Sequence, residues 1–209
     1  MYSSFLNLIP SYAPGKTTPG ALKLASNEMT QGPLPSVRDA IVDAAASINR
    51  YPDMAAVDVR TTIADHLGLP TTHVAVGCGS SALCQQLIQA TCTDGDEVIF
   101  AWRSFEAYPI LARVAGAVPV AVPLDADHRH DLDAMAAKIG DRTRLVFICN
   151  PNNPSGTTIT AAEFEAFMAK VPANVLVALD EAYIEFVELA DGDLGAAGRA
   201  TGVDTPNAV

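Results

Sequence analysis

Positive charge is scarce in this sequence of 209 residues, which has 13 lysines and arginines against 24 aspartates and glutamates and a formal net charge of −11. A protein that binds nucleic acid needs a basic surface for the phosphates, so this composition argues against that class. No apolar run approaches the ~18 residues that cross a membrane. The start of the chain also lacks the basic and long apolar segments of a secretory signal. The sequence therefore predicts a cytoplasmic protein with no nucleic-acid or membrane partner.

Cysteine is also sparse, and the four residues Cys78, Cys84, Cys92 and Cys149 form no CxxC pair. This spacing argues against a disulfide scaffold and predicts reduced, mostly buried thiols. The segment 127–131 (Asp-His-Arg-His-Asp) holds two histidines, but its spacing matches no zinc pattern. We expect a solvated loop there and no metal site.

Short apolar runs alternate with amphipathic segments through most of the chain. The predicted strands are residues 74–76, 97–101, 118–122, 145–149 and 175–179. The predicted helices are residues 37–48, 57–67, 80–91, 104–114, 131–139 and 160–170. Short apolar strands between helices are typical of a mostly parallel sheet buried on both faces, so we predict an α/β fold with the sheet sandwiched by helices.

The two ends of the chain have a different composition. Residues 1–33 are rich in proline and glycine and read as an arm or loop, and the tail from Asp191 reads as a surface loop. We therefore divide the chain into an N-terminal arm with the first helix (residues 1–49) and a sheet domain (residues 50–209).

Ligands of an open α/β sheet bind beyond the carboxyl ends of its strands, and two candidate segments there precede helices. The turn 77–81 (Gly-Cys-Gly-Ser-Ser) suits a phosphate, because glycines let backbone N–H groups approach it at a helix N-terminus. A tight turn with Ser80 as the helix cap is the alternative. In the segment 102–105 (Trp-Arg-Ser-Phe), an aromatic ring either lies on a planar heterocycle or packs under its own helix.

Two further candidates follow the later strands. In 150–156 (Asn-Pro-Asn-Asn-Pro-Ser-Gly), a side-chain amide can face a ligand oxygen, although the same residues also make ordinary turns. Asp180 ends an apolar strand, where a carboxylate is costly without a cation or hydrogen bonds. A protonated pyridine nitrogen is such a partner, and Tyr183 can reach another ring substituent. A helix-capping role for Asp180 is the alternative.

These segments, in this order, resemble the histidinol-phosphate aminotransferase family of fold-type I pyridoxal-phosphate (PLP) enzymes. The resemblance rests on Leu-Ala-Ser-Asn-Glu (24–28), Arg-Tyr-Pro-Asp (50–53), the glycine turn, Asn-Asn-Pro-Ser-Gly (152–156) and Asp-Glu-Ala-Tyr-Ile-Glu-Phe (180–186). The segments 12–16, 74–80 and 102–105 resemble the branch that acts on aromatic amino acids. Ser81 and Ala82 stand where the family usually has an acidic pair, which also favours that branch.

The resemblance implies a role for each matching residue. It places Gly79, Ser80 and Ser81 at the PLP phosphate, Phe105 on the pyridine ring, Asn153 and Tyr183 at the phenolic oxygen, and Asp180 at the ring nitrogen. Asp180, Tyr183 and Asn153 are thereby the implied catalytic residues. Tyr51 is implied to reach the cofactor of the partner subunit in a homodimer, and Asn27 and Tyr12 to lie near the substrate.

The resemblance also implies that residues 1–209 lack several parts of the family's active site and its small domain. The family's Schiff-base lysine belongs to a Ser-x-x-Lys segment that aligns shortly beyond Val209, as do its later arginines and most of the C-terminal small domain. No lysine among residues 1–209 is a natural substitute. We therefore expect a truncated large domain, incomplete at its C-terminus, that does not catalyse amino transfer by itself.

The predicted function is PLP-dependent transfer of an amino group between phenylalanine or tyrosine and a 2-oxo acid. Histidinol-phosphate aminotransferase is the alternative within the family, and a catalytically dead PLP-binding remnant is another. An NAD-dependent dehydrogenase is a further alternative, because residues 77–82 fit a GxGxxA dinucleotide fingerprint. That fingerprint expects an acidic residue ~20 positions later, where Trp102 and Arg103 stand.

Overall fold

The computed structural model describes residues 18–22 and 26–187, and the chain divides into two compact units that meet in sequence between Val59 and Arg60. The first unit contains helix α1 (Pro35–Ala45), which begins with a proline in its first turn. Proline suits this position because the first helical N–H groups have no intrahelical partner. None of the residues of α1 is buried.

The remaining elements follow in chain order, and helices alternate with strands after residue 78. The helices are α2 (Val57–Leu67), α3 (Gly79–Thr91), α4 (Ala107–Val114), α5 (Leu132–Ala137) and α6 (Ala161–Met168). The strands are β1 (Glu97–Trp102), β2 (Val118–Pro123), β3 (Thr143–Cys149) and β4 (Leu176–Asp180), and single 3₁₀ turns cover Thr71–His73 and Ile184–Phe186.

The four strands form one sheet in the order β2-β1-β3-β4, and every pair is parallel. The predicted α/β fold with a parallel sheet is therefore confirmed. Cys149 at the end of β3 is in register with Asp180 at the end of β4. The backbone N–H of Asn150 donates to the carbonyl of Asp180 over 2.9 Å, so these two strands end side by side.

Helices cover both faces of the sheet, as the sequence predicts. Side chains along a strand alternate between faces, so Phe100 and Phe147 pack with α3 and α4, whereas Ile99 and Val146 pack with α5 and α6. All four of these side chains are fully buried. Two apolar layers thus hold the central strands β1 and β3 in place.

The predicted strand at residues 74–76 is wrong, because the structure has no strand there. The guanidinium of Arg60 donates to the carbonyls of Val74 and Thr71, each over 2.8 Å. A strand needs a neighbour to complete its hydrogen bonds. No described strand pairs with this segment, and a side chain satisfies part of its backbone instead.

The segment 127–131 is only partly the solvated loop that the sequence predicts. Arg129 donates to Glu163 at the start of α6 over 2.8 Å and to the carbonyl of Thr158 over 3.0 Å. These bonds draw the loop onto α6, and the side chain of His130 is only 7% exposed. No group of three or more candidate ligands for a metal ion occurs among residues 18–22 and 26–187. None of the helices in these ranges is long and apolar enough to cross a bilayer.

Candidate active site

The candidate residues that follow β1, β3 and β4 come together at the carboxyl edge of the sheet, and α3 begins nearby. Helix α3 packs against this region through Cys84 and Ile88, which share one buried cluster with Phe147 and Cys149 of β3. Burial raises the pKa of Cys84 to about 12, and the negative charge of Asp180 is the second cause of the increase. The charge of Asp180 therefore acts on the first half of α3.

The N-terminus of α3 has the features of an anion site. Its N-cap residue is Cys78, and no side chain caps the helix. Ser80 lies within the first turn, so it is not the helix cap, and both it and Ser81 are exposed. Gly79 has a φ of 76°, a left-handed conformation that favours glycine. The N–H of Gly79 donates to the carbonyl of Gly77 over 2.9 Å. The next N–H groups of the first turn, the two hydroxyls and the positive end of the helix dipole suit a phosphate.

Asp180 is anchored through both of its carboxylate oxygens. The hydroxyl of Tyr108 donates to Oδ2 over 2.6 Å, and the backbone N–H of Ala182 donates to Oδ1 over 3.2 Å. Asp180 is half-buried, and these two bonds offset part of the cost of holding a charge at the end of β4. Asp180 therefore does not cap a helix but ends the strand as an oriented carboxylate.

Phe105 and Asp180 are joined through the ring of Tyr108. Phe105 meets Tyr108 edge-to-face with ring centroids 5.4 Å apart, and Tyr108 lies parallel to Phe147 at 4.5 Å. Phe105 is half-buried and packs beside its own helix. The alternative that an aromatic ring of segment 102–105 packs under its own helix therefore describes part of its surroundings. The same contacts bring an aromatic ring and a carboxylate into one site.

The two asparagines after β3, Asn152 and Asn153, lie in different environments. Asn152 is 2% exposed, and its side-chain oxygen accepts a hydrogen bond from Ser104 over 2.7 Å. Its amide nitrogen donates to the carbonyl of Arg103 over 3.1 Å and to Ser155 over 2.7 Å. Asn152 thus ties the loop after β1 to the loop after β3. Asn153, the next residue, is half-buried beside this bridge.

The other predicted site residues are distributed as follows. Tyr183 is half-buried three positions after Asp180, with its ring centroid 6.3 Å from that of Phe186. Asn27 and Tyr51 are exposed and belong to the unit that ends at Val59. Tyr12 lies outside the described residues.

Three residues of this region are not among the predicted site residues: Tyr108, Ser104 and Asn152. Ser104 and Asn152 do belong to the candidate segments 102–105 and 150–156, whereas Tyr108 lies outside all of them. One signal for Tyr108 is present in the sequence, because it lies three residues after Phe105 in a mostly apolar helix. The hydroxyl of a buried tyrosine usually has a hydrogen-bond partner. Nothing in the sequence indicates that this partner is 72 positions away.

The architecture is that of the solved aminotransferases. The histidinol-phosphate aminotransferase of Sinorhizobium meliloti, solved in complex with pyridoxal-5'-phosphate, is 33% identical and superposes with a TM-score of 0.72 over 77% of this chain and 44% of that chain. The aspartate aminotransferase of Rhizobium meliloti is 22% identical with a TM-score of 0.73 over 84% of this chain and 47% of that chain, and it shows the fold alone. The chain belongs to the aminotransferase class I and II family, whose model matches residues 19–207.

Curated relatives give a narrower comparison. An aromatic amino acid aminotransferase of Rhodococcus jostii is 68% identical over 181 residues, which cover 87% of this chain and 51% of the relative. One of Corynebacterium glutamicum (strain R) is 63% identical over 186 residues, or 89% of this chain and 54% of the relative. The chain thus spans about half the length of these relatives. The predicted family is confirmed, and the match gives no support to the dehydrogenase alternative.

Proposed function

We propose that the protein is a PLP-dependent aminotransferase that moves an amino group between phenylalanine or tyrosine and a 2-oxo acid. The observation that carries the proposal is the 68% identity, over 181 residues, to a relative named for aromatic amino acid transfer. The side chains at the carboxyl edge of the sheet support it, because they offer groups that suit a phosphate and a cationic ring.

The donor set fits pyridoxal phosphate group by group. The first turn of α3, with Gly79, Ser80 and Ser81, suits the phosphate, because it offers uncapped N–H groups and hydroxyls. We assign to Phe105 the contact with the face of the pyridine ring. We assign to Asn153 and Tyr183 the hydrogen bonds to the phenolic oxygen. When bound, PLP supplies an electron sink for the substrate carbanion.

Asp180 has the central role in this proposal. Its carboxylate is fixed from both oxygens, so it presents a negative charge in one orientation. A cationic ring nitrogen beside it keeps its proton, because an opposite charge nearby favours the charged form. We therefore assign to Asp180 the role of keeping the ring nitrogen protonated. The Schiff-base lysine stays a prediction.

We also propose a cytoplasmic homodimer in which Tyr51 reaches the partner's cofactor and Asn27 and Tyr12 lie near the substrate. Tyr51 is 96% exposed, and the apolar side chains of Ile41 and Val42 on α1 are 63% and 64% exposed. Exposed apolar side chains of this kind are common where a second surface covers them. The described cysteines are free, as is typical of a reducing compartment.

The domain division also stays a proposal. Residues 50–209 would form the larger part of the PLP-binding domain, with residues 1–49 as an arm and first helix. The C-terminal small domain would correspond to sequence that the relatives have and this chain does not span.

Histidinol-phosphate transfer is the second candidate, because a solved enzyme with that name shares 33% identity and the fold. The experiment compares kcat/KM for phenylalanine, tyrosine and histidinol phosphate, with 2-oxoglutarate as acceptor. It uses a form of the protein that spans the length of the relatives. We expect phenylalanine or tyrosine to be preferred by at least about tenfold, or about 1.4 kcal/mol in the transition state.

Each other result has a definite meaning. A preference for histidinol phosphate would overturn the substrate assignment but keep the reaction class. Tight PLP binding without transfer from any of the three donors would identify a catalytically inactive PLP-binding protein, and the proposed function would be wrong.

A further inference from the structure

Tyr108 is a buried residue whose contact the proposed mechanism does not yet use. It lies in α4 with no exposed surface, and its hydroxyl is 2.6 Å from Oδ2 of Asp180 at the end of β4. An O–H donor to a carboxylate at this distance makes a strong, charge-assisted hydrogen bond. The contact links the helix after β1 to the carboxylate that the proposed mechanism places at the ring nitrogen.

The protonation state and the position of this hydroxyl are both fixed. Burial raises the pKa of Tyr108 far above its ordinary value, and the charges of Cys149 and Asp180 act in the same direction. The hydroxyl therefore keeps its proton throughout the pH range of an ordinary enzyme. Stacking on Phe147 at 4.5 Å and the edge contact with Phe105 at 5.4 Å hold the ring in place.

We propose that Tyr108 is a positioning residue that binds and orients Asp180, so that the cofactor's ring nitrogen rather than Asp180 holds the shared proton. A hydrogen bond donated to a carboxylate favours its charged form. It also makes the carboxylate a weaker competitor for a proton that lies between it and a pyridine nitrogen. This inference rests on the proposed function, since it needs PLP in the site.

A purely structural role would also explain a buried tyrosine with a satisfied hydroxyl. The two roles differ in one observable, which is the protonation of the ring nitrogen. A structural hydroxyl contributes to the free energy of unfolding only, whereas a positioning hydroxyl changes how the ring nitrogen titrates.

The test measures that titration directly in the holoenzyme at the length of the relatives. PLP labelled with ¹⁵N in its ring is bound to the wild-type protein and to Tyr108→Phe, and the ¹⁵N chemical shift is followed from about pH 6 to about pH 9. We expect the wild-type nitrogen to stay protonated throughout. In Tyr108→Phe we expect the ¹⁵N shift to move towards the unprotonated value across the whole range, because the shared proton moves from the ring nitrogen towards Asp180. We also expect kcat with phenylalanine to fall about tenfold while KM stays within about twofold.

A matched control alters the packing of the same tyrosine but keeps its hydroxyl. Phe147→Leu replaces the ring that stacks on Tyr108, and we expect its ¹⁵N titration to follow that of the wild type.

Three results would overturn the inference. The first is that Tyr108→Phe and the wild type give identical ¹⁵N titrations. The second is that Tyr108→Phe and Phe147→Leu change the titration equally. The third is that the ring nitrogen of the wild type is unprotonated near pH 7. The last result needs no variant, so it decides the matter even if Tyr108→Phe does not fold. If the proposed function is wrong, the wild type will not catalyse amino transfer, and this result is distinct from the three above.

Discussion

At the scale of single residues, Asp180 shows how a charge is kept at the end of a largely apolar strand. The carboxylate has a hydroxyl donor on one oxygen and a backbone N–H on the other. The carboxylate is therefore already oriented before any ligand is bound.

Two substitutions at this position separate charge from packing. Asp180→Asn keeps an oxygen that can accept from Tyr108 but removes the charge, so we expect amino transfer to fall about 10²–10³-fold. The free energy of unfolding should change by less than about 1 kcal/mol in this variant. Asp180→Ala also leaves the Tyr108 hydroxyl without its acceptor, which should cost a further ~1–3 kcal/mol.

Steady-state kinetics and urea unfolding measure the two effects. Near-normal turnover by Asp180→Asn with PLP bound would remove Asp180 from the proposed mechanism.

The sequence predicts Asp180 but not its partner, for a physical reason. The cost of a carboxylate after five apolar residues can be read locally from the sequence, although β4 is only half-buried in the structure. The contact with Tyr108 depends on how α4 packs onto β3 and β4. Likewise, sequence alone does not indicate which asparagine of the pair is buried, since Asn152 is fixed by Ser104 from another loop.

At the scale of elements, the loop between β2 and α5 shows the same dependence on packing. The sequence predicts a helix over residues 131–139, and in the structure Asp131 is the N-cap of α5 and accepts the N–H of Ala134 over 2.9 Å. It does not predict that His130 is buried, because Arg129 draws the loop onto α6 through Glu163. The predicted strand at residues 74–76 is wrong for a related reason, since its partner is not among the described strands.

Burial of His130 has a consequence for stability. Desolvation lowers the pKa of His130 to about 4 from an ordinary value of 6.5, and the smaller effect of Asp125 opposes this. Nε2 of His130 also lies buried without a hydrogen-bond partner. Between these two pKa values the unfolded chain binds a proton that the folded protein does not. The free energy of unfolding must therefore fall as the pH decreases from about 6.5 towards about 4.

The variant His130→Gln lacks this titration. We expect the free energy of unfolding of the wild type, relative to His130→Gln, to decrease by about 2 kcal/mol between pH 7 and pH 5. Urea unfolding at the two pH values measures it. Asp125, Arg129, Asp131 and Glu163 are present in both proteins, so their contributions largely cancel. An unchanged difference would show that His130 titrates equally in the folded and unfolded states.

At the scale of the molecule, the parallel sheet gathers distant segments at one edge. Its order β2-β1-β3-β4 places β1, β3 and β4 side by side. Phe105 and Asn153 follow β1 and β3, and Asp180 is the last residue of β4. The alternation of apolar runs predicts this edge, because parallel strands end on the same side. The proposed contacts with a second chain do not follow from that pattern, since they depend on surfaces rather than on periodicity.

The most direct test of the central claim is a crystal structure of the protein, at the length of its relatives, with PLP bound. We predict that the phosphate lies within hydrogen-bond distance of the first N–H groups of α3 and the hydroxyls of Ser80 and Ser81. The ring nitrogen should lie about 2.7–2.9 Å from a carboxylate oxygen of Asp180. A phosphate bound away from α3, or a ring nitrogen that faces a group other than Asp180, would contradict the proposed site.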